Sequence, residues 1–431
     1  MKFLTTKKDK RKFIRSIIQG FVLFLIIRLL VNAFFNFEVY SHYDIDALSD
    51  NGGKGFIAIS YFGVDRAGTE TLISTERLDE HFEALKKNGY ITLTQEDVIN
   101  YYNNNQRIPP RSMFLMLEDG RRDTAIFSGP LLEKYNYIGT VFTYASKLEE
   151  MDPKFLSPRD LKSLKEGTFF EWGTHGYRLA YINVFDRYGN FLGELHQDEF
   201  IELRKHFTRD YNHYLMDYIR DENKIPIESQ AEMQSRIRLD YMLMDEVYSK
   251  RIGELPRLYA IMHANTGQFG SHKNVSAVNE EMIREHFAIT FNREGFCYND
   301  KKADIYDLTR MQPQAYWYPN HLLMRIKDDT KEDMIFMDGD LEIKKDWEVL
   351  QGTAEFRKSS IIVTSEPEDR GLIRLREDIG SQNLALHARL TGSKVGCQTI
   401  YLRADQDLEE YISIRIQNNN LYISEKGKEL F

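Results

Sequence analysis

The chain has 431 residues, 42% of them hydrophobic and only 10 prolines, which is too long for one ordinary domain and too apolar for extended disorder. Its formal net charge of −9 is unevenly spread: residues 1–28 hold Lys2, Lys7, Lys8, Lys10, Arg11, Lys12, Arg15 and Arg28 against Asp9 alone, a net +7 that leaves −16 for the remainder. An acidic body repels a phosphate backbone, which argues against nucleic acid as a partner and leaves neutral or cationic ligands such as amino sugars.

Ile17 to Phe35 is apolar apart from Gln19, Gly20, Arg28 and Asn32, about the length that crosses a hydrocarbon core. Basic residues crowd its N-terminal side, and the Asn-Ala-Phe-Phe-Asn-Phe stretch lacks a small-residue cleavage pattern. The expectation is a cytoplasmic tail at 1–15, an uncleaved transmembrane signal anchor at 16–36, and everything beyond it outside a bacterial plasma membrane. Residues 37–54 are polar and end in Asn-Gly-Gly-Lys-Gly, a linker.

Strand and helix patterns then alternate. Phe56 to Tyr61 is a strand, Ser74 to Asn88 an amphipathic helix, Tyr90 to Leu93 a short strand, and Thr94 with Asp97 an N-cap signature for the next helix. After Pro109-Pro110, Ser112 to Leu117 is an unbroken apolar run, the texture of a parallel strand covered on both faces. A helix at Asp123 to Tyr135, a strand at Gly139 to Tyr144, a helix at Ser157 to Glu166 and a strand at Thr168 to Trp172 follow. Two long helical patterns flank Lys224-Ile225-Pro226, an insertion over 181–253. Alternation resumes with Leu258 to Met262, Asn279 to His286 and Phe287 to Phe291. Regular βα alternation implies an α/β domain, a parallel sheet or (β/α) barrel over 55–330. From about Asp333 short segments separated by turn residues predict an all-β sandwich module at 331–431. Cys297 and Cys397 have no metal-ligand spacing.

Ligands of α/β sheets and barrels bind at strand carboxyl ends, and polar residues recur there. The strand at 112–117 runs into Glu118-Asp119-Gly120, and the strand ending at Trp172 into Gly173-Thr174-His175. The Leu258 strand ends in Met262-His263-Ala264-Asn265, and the Phe287 strand in Asn292-Arg293-Glu294-Gly295; Arg310 and Gln312 follow Tyr306 to Leu308. Asp119, His175 and His263 supply the donors a divalent, zinc-type cation takes. Glu118, Asp119 and Glu294 could instead act as acid and nucleophile or base on a glycosidic bond. Asn265, Arg293 and Arg310 are candidates for contacting substrate, and Trp317, with Tyr316 and Tyr318, offers aromatic surface to a sugar or a packed aromatic corner.

At Leu78 to Tyr90, Pro109 to Asp123, and Leu131 to Tyr135 with Gly139 to Phe142, the chain resembles the polysaccharide deacetylases with the NodB homology domain. The resemblance covers roughly Gly55 to Arg325. It implies a distorted (β/α) barrel that removes N-acetyl groups from amino-sugar polymers with a divalent metal, the first carboxylate of the acidic pair being the base and the second a metal ligand. Here that pair is Glu118 and Asp119. The family's paired histidines correspond to His175 and Leu179, and the Tyr-His that ends the first strand corresponds to Tyr61-Phe62. Leucine cannot coordinate a metal, and catalytic zinc usually takes three protein ligands. Three readings stay open: a metal-dependent deacetylase acting on an exopolysaccharide or cell-wall glycan, a glycosidase using Glu118, Asp119 and Glu294, and a non-catalytic glycan binder or scaffold. A polysaccharide synthase or export complex is a further partner left open.

Overall fold

The computed structural model describes residues 11, 13, 15–26, 39–46, 48, 52–207, 211–261, 272–376, 380, 383–392 and 396–431. Residues 15–26 are helical with exposed side chains; the rest of the expected anchor, 27–36, lies outside the described residues. Among the described residues no helix is long and apolar enough to cross a membrane.

The chain divides into two compact units, residues 1–375 and 376–431. The first is built on a nine-stranded sheet. Its strands are β1 (Gly55–Tyr61), β2 (Ile91–Thr92), β3 (Ser112–Leu117), β4 (Gly139–Thr143), β5 (Phe170–Thr174), β6 (Leu258–Tyr259), β7 (Ile289–Glu294), β8 (Tyr298–Asp300) and β9 (Leu308–Arg310). The order β1-β3-β4-β5-β6-β7-β9 is parallel throughout. A parallel bridge between Ile59 of β1 and Met311 just after β9 brings the last strand back to the first, so the sheet is a nearly closed barrel. The antiparallel β8 pairs with β1 at Gly55–Ile57, and β2 adds to β3.

Every residue of β1, β3 and β4 is buried, as strands covered on both faces require. Alternate side chains divide between two cores, because successive residues of a strand point to opposite faces. Phe56, Ala58, Phe114, Met116, Phe142, Leu258, Phe291 and Leu308 share one cluster inside the barrel. Ile57, Ile59, Tyr61, Met113, Leu115, Leu117 and Val141 join the other, packed against helices α1 (Thr75–Lys87) and α3 (Arg122–Tyr135). Between these helices in sequence comes α2 (Gln95–Asn103), whose preceding Thr94 and whose Asp97 form a reciprocal capping box.

The insertion differs from its sequence pattern. It opens with a three-stranded antiparallel sheet, Phe191–His196 and Asn212–His213 flanking Ala180–Phe185, and a short helix, Gln197–Leu203. Only its second half is one long helix, α4 (Gln230–Arg251). Aromatic residues such as Tyr181, Phe200 and Tyr211 pack on one another there, and tertiary packing of this kind overrides helical periodicity. Beyond residue 331, Trp347–Gln351 pairs with Leu372–Leu375 and Thr353–Arg357 with Ser360–Thr364, all in the first unit. The second unit holds a four-stranded antiparallel meander from Cys397–Leu402 to Lys428–Glu429.

Candidate functional site

The inward positions that follow the apolar barrel cluster are polar. In β1 the next is Ser60, after β3 it is Glu118, after β4 Tyr144, after β5 His175, and at the end of β9 Arg310. All five side chains are buried. Period-two alternation therefore carries residues from five strands to one layer at the carboxyl mouth of the barrel.

Glu118 and Arg310 are the centre of this layer. Arg310 Nε donates to Glu118 Oε1 at 2.5 Å, Ser60 Oγ donates to the same oxygen at 2.5 Å, and Gln312 Nε2 donates to Oε2 at 3.0 Å. Arg310 also donates through Nη2 to Glu294 Oε1 at 3.2 Å and through Nη1 to the Phe291 carbonyl at 3.4 Å. Burial works against ionising Glu118, but Arg310, His175 and the donated hydrogen bonds outweigh it and hold the carboxyl below its ordinary range. Glu294, about 29% exposed, is pushed upward by burial and by Glu118, with Arg310 opposing. Two of the three carboxylates proposed for glycosidic chemistry, Glu118 and Glu294, thus stand on either side of one guanidinium. A glycosidase needs its acid and its nucleophile or base facing an open cleft; here Arg310 is bonded to both.

Asp119 turns the other way, into the start of α3. Its Oδ1 accepts from the Arg121 backbone N–H at 3.1 Å and its Oδ2 from Thr124 Oγ1 at 3.0 Å, while Thr124 Oγ1 accepts from the Val64 N–H. Gly63 crowds the same oxygen, since a β-carbon there would lie 2.2 Å from Oδ2. Burial raises the Asp119 carboxyl to about 7 against these donors.

His175 stacks on Phe142 with ring centroids 4.7 Å apart, and the Tyr144 ring tilts over it at 5.3 Å. Its Nδ1 lies 2.5 Å from the Ala260 carbonyl and its Nε2 2.6 Å from the Glu118 carbonyl. A neutral imidazole carries one N–H, so one nitrogen donates to its carbonyl while the lone pair of the other is faced at contact distance by a carbonyl oxygen, which occupies the position a cation would take. Burial lowers the His175 pKa, with the charge of Glu118 and the Ala260 carbonyl opposing. Among the described residues no group of three His, Cys, Asp or Glu side chains could hold a metal ion. The described donors therefore do not fit a divalent cation.

Leu179 and Phe62, which stand where the family pattern has histidines, belong to a single apolar cluster with Tyr144, Tyr181, Val184, Leu195 and Phe200. The inserted sheet supplies most of that cluster. Tyr144 Oη is buried with no hydrogen-bond partner among the described residues.

Of the remaining candidates, His263 and Asn265 lie outside the described residues. Arg293 pairs through its backbone with Thr309, and its side chain lies outside what the structure describes. Trp317 is half-buried: it stacks on His321 at 4.2 Å, and its carbonyl faces His81 Nε2 at 3.0 Å. Tyr318 lies under Arg77, 3.6 Å from the ring centroid, and only Tyr316 of this aromatic trio is widely exposed. Sequence reasoning did not single out Ser60 and Tyr144. A lone serine in the apolar Gly-Phe-Ile-Ala-Ile-Ser-Tyr strand is the one signal that points to Ser60.

No family model matches the chain, and no curated protein matches it. Solved structures do. A Streptococcus pyogenes deacetylase, PplD, in complex with acetate, is 12% identical, with 63% of this chain and 97% of that one covered and a TM-score of 0.44. The chain is similar to polysaccharide deacetylases. A de-N-acetylase from Aggregatibacter actinomycetemcomitans is 17% identical over 61% of this chain and 96% of that one, with a TM-score of 0.47. The BpsB deacetylase domain from Bordetella bronchiseptica is 16% identical over 61% and 98%, with a TM-score of 0.46. Identities this low mark a diverged sequence.

Proposed function

We propose that this chain is a deacetylase-like barrel that binds a polysaccharide without hydrolysing it, held at the outer face of a bacterial plasma membrane by a signal anchor at residues 16–36. One observation carries the non-catalytic reading: a carbonyl oxygen faces each ring nitrogen of His175 at contact distance, Ala260 at Nδ1 and Glu118 at Nε2. The apolar packing of Phe62 and Leu179 with Tyr144, whose ring tilts over His175, supports the same reading. A general base must reach the proton it removes, and Glu118 is fully buried with Ser60, Arg310 and Gln312 already donating to it. The polysaccharide comes from the resemblance of Leu78 to Tyr90 and Pro109 to Asp123. The anchor rests on the basic head and apolar run, together with the exposed apolar side chains of residues 15–26.

The test uses the full chain purified in detergent, with Asp119→Ala as control. Bound zinc is measured by elemental analysis, acetate release on N-acetylated and partly deacetylated amino-sugar polymers, and retention on the same polymers by affinity electrophoresis. The expected result is retention, with zinc and acetate no higher than in Asp119→Ala. Acetate release that is lost in Asp119→Ala overturns the proposal in favour of a metal-dependent deacetylase.

A further inference from the structure

Among its described residues the segment between the expected anchor and the barrel contains no strand or helix, yet it is bound to the barrel at several points. Tyr40 donates its backbone N–H to Thr168 Oγ1 at 3.0 Å and its hydroxyl to the Thr92 carbonyl at 3.0 Å. Ser41 and Asn136 exchange two hydrogen bonds, Ser41 N–H to Asn136 Oδ1 and Asn136 Nδ2 to Ser41 O, both 2.8 Å. His42 Nε2 lies 3.0 Å from both oxygens of Asp97, and Tyr43 Oη donates to Asp97 Oδ1 at 2.9 Å. Further on, Arg107 donates to the Leu48 carbonyl, Gly53 N–H to Ile108, and Tyr101 Oη to the Lys54 carbonyl. The Tyr40 ring packs edge-on against Phe169.

The partners share one location. Thr168 precedes β5, Asn136 precedes β4, Arg107 and Ile108 precede β3, and Thr92 of β2 pairs with Met113 near the start of β3. The segment crosses the amino ends of these strands, the end of the barrel opposite to Ser60, Glu118, His175 and Arg310. Phe35, the last residue of the apolar run, is five residues from Tyr40, a span of at most about 18 Å fully extended.

We propose that the segment after the expected anchor, docked through Tyr40, Ser41, His42, Tyr43, Leu48 and Gly53, is a strap that turns the amino ends of the barrel strands toward the lipid surface and the mouth away from it, so that a ligand is met on the side remote from the membrane. The inference rests on the signal-anchor reading of residues 16–36. With a strap fixed on the barrel, the short remaining tether cannot let the body tumble. The mouth stands farther from the headgroups by about the length of β1, roughly 20 Å at the usual rise per strand residue.

Full chain carrying Cys397→Ser, with Cys297 buried, is reconstituted into phosphatidylcholine and phosphatidylglycerol vesicles. Donor fluorophores are placed singly by Glu70→Cys, in the exposed loop after β1, or Lys302→Cys, in the exposed turn after β8. Energy transfer to a headgroup-labelled lipid is expected to be at least two-fold stronger from position 302. That difference should shrink in Tyr40→Ala/His42→Ala. It should shrink equally when a twenty-residue Gly-Ser spacer is inserted between Val39 and Tyr40, a change that leaves the barrel intact. Equal or stronger transfer from position 70 overturns the orientation, and a site difference unaffected by the spacer overturns the strap as its cause. A chain that fails to float with the vesicles overturns the anchor reading itself, and flotation is scored before any transfer is measured.

Discussion

Arg310 and Glu118, 192 residues apart in sequence, form an ion pair inside the barrel with side chains no more than 1% exposed. The pair holds β9 to β3 across the barrel at the level where the resemblance puts a catalytic base. Desolvating two charges is costly, and the loss is offset here by Coulomb attraction and by donors that fill the remaining lone pairs of the carboxylate. Ser60, Gln312 and Glu294 complete that arrangement.

Removing one partner of the pair leaves a buried charge alone. Arg310→Met is expected to destabilise the chain by about 3 to 5 kcal/mol in urea unfolding monitored by tryptophan fluorescence. Adding Glu118→Gln to that variant should recover part of the loss, because the orphaned carboxylate disappears with it. A double variant less stable than Arg310→Met would contradict this account of the pair.

Asp240 of α4 gives a pH dependence. It is buried, its Oδ2 makes no hydrogen bond among the described residues, and Arg178 Nε stands 3.5 Å away. Burial lifts its carboxyl from 3.8 to about 7, with Arg178 and Arg236 opposing. A folded-state pKa raised above the unfolded value means that the folded state binds the proton more tightly. The associated stability is fully present below about pH 4 and is lost as pH rises through 7. Asp240→Asn cannot ionise, so the wild type should lose on the order of 3 kcal/mol relative to this variant between pH 4 and pH 8. Paired urea titrations at the two pH values measure it. A constant difference between the two proteins would refute the assignment.

Much of the barrel is legible in the chain because its strands are apolar on both faces and its helices carry local start signals. Ser112 to Leu117 and the Thr94–Asp97 box need no distant partner to be recognised. The insertion was not legible, since aromatic residues spaced through Tyr181 to Tyr211 fit a helical face as well as the antiparallel sheet they form. At the site, strand-end position found Glu118, His175, Glu294 and Arg310, but not what each touches. That Glu118 would meet a guanidinium from the last strand of the barrel, or that His175 would sit between two carbonyls, depends on strand order and register. Neither is written in local sequence.

Phe62 and Leu179 test whether lost histidines alone account for the missing donors. Restoring both, Phe62→His with Leu179→His, puts two imidazoles into an apolar cluster and should cost about 2 to 4 kcal/mol. Zinc content should stay near that of the wild type, because Nε2 of His175 still faces the Glu118 carbonyl. One equivalent of zinc in the restored variant, absent after chelation, would mean that the described arrangement yields readily to a metal.

The stack of Phe142 on His175 depends on a glycine. A β-carbon at Gly173 would lie 2.7 Å from Phe142 Cε1, closer than real contacts allow, and a tight 3.1 Å from the Leu258 carbonyl. Gly173→Ala must therefore drive the phenylalanine ring toward His175, whose nitrogens are pinned between Ala260 and Glu118. Overpacking of this kind costs about 1 to 3 kcal/mol. Gly139→Ala, in the adjacent β4, is the control, since its β-carbon would meet nothing closer than Leu132 Cδ1 at 3.4 Å, and it should cost less than about 1 kcal/mol. Urea unfolding compares the two. The His175 ring resonances in NMR should shift in Gly173→Ala and hold still in Gly139→Ala, because only the first substitution displaces the ring against which the imidazole is stacked.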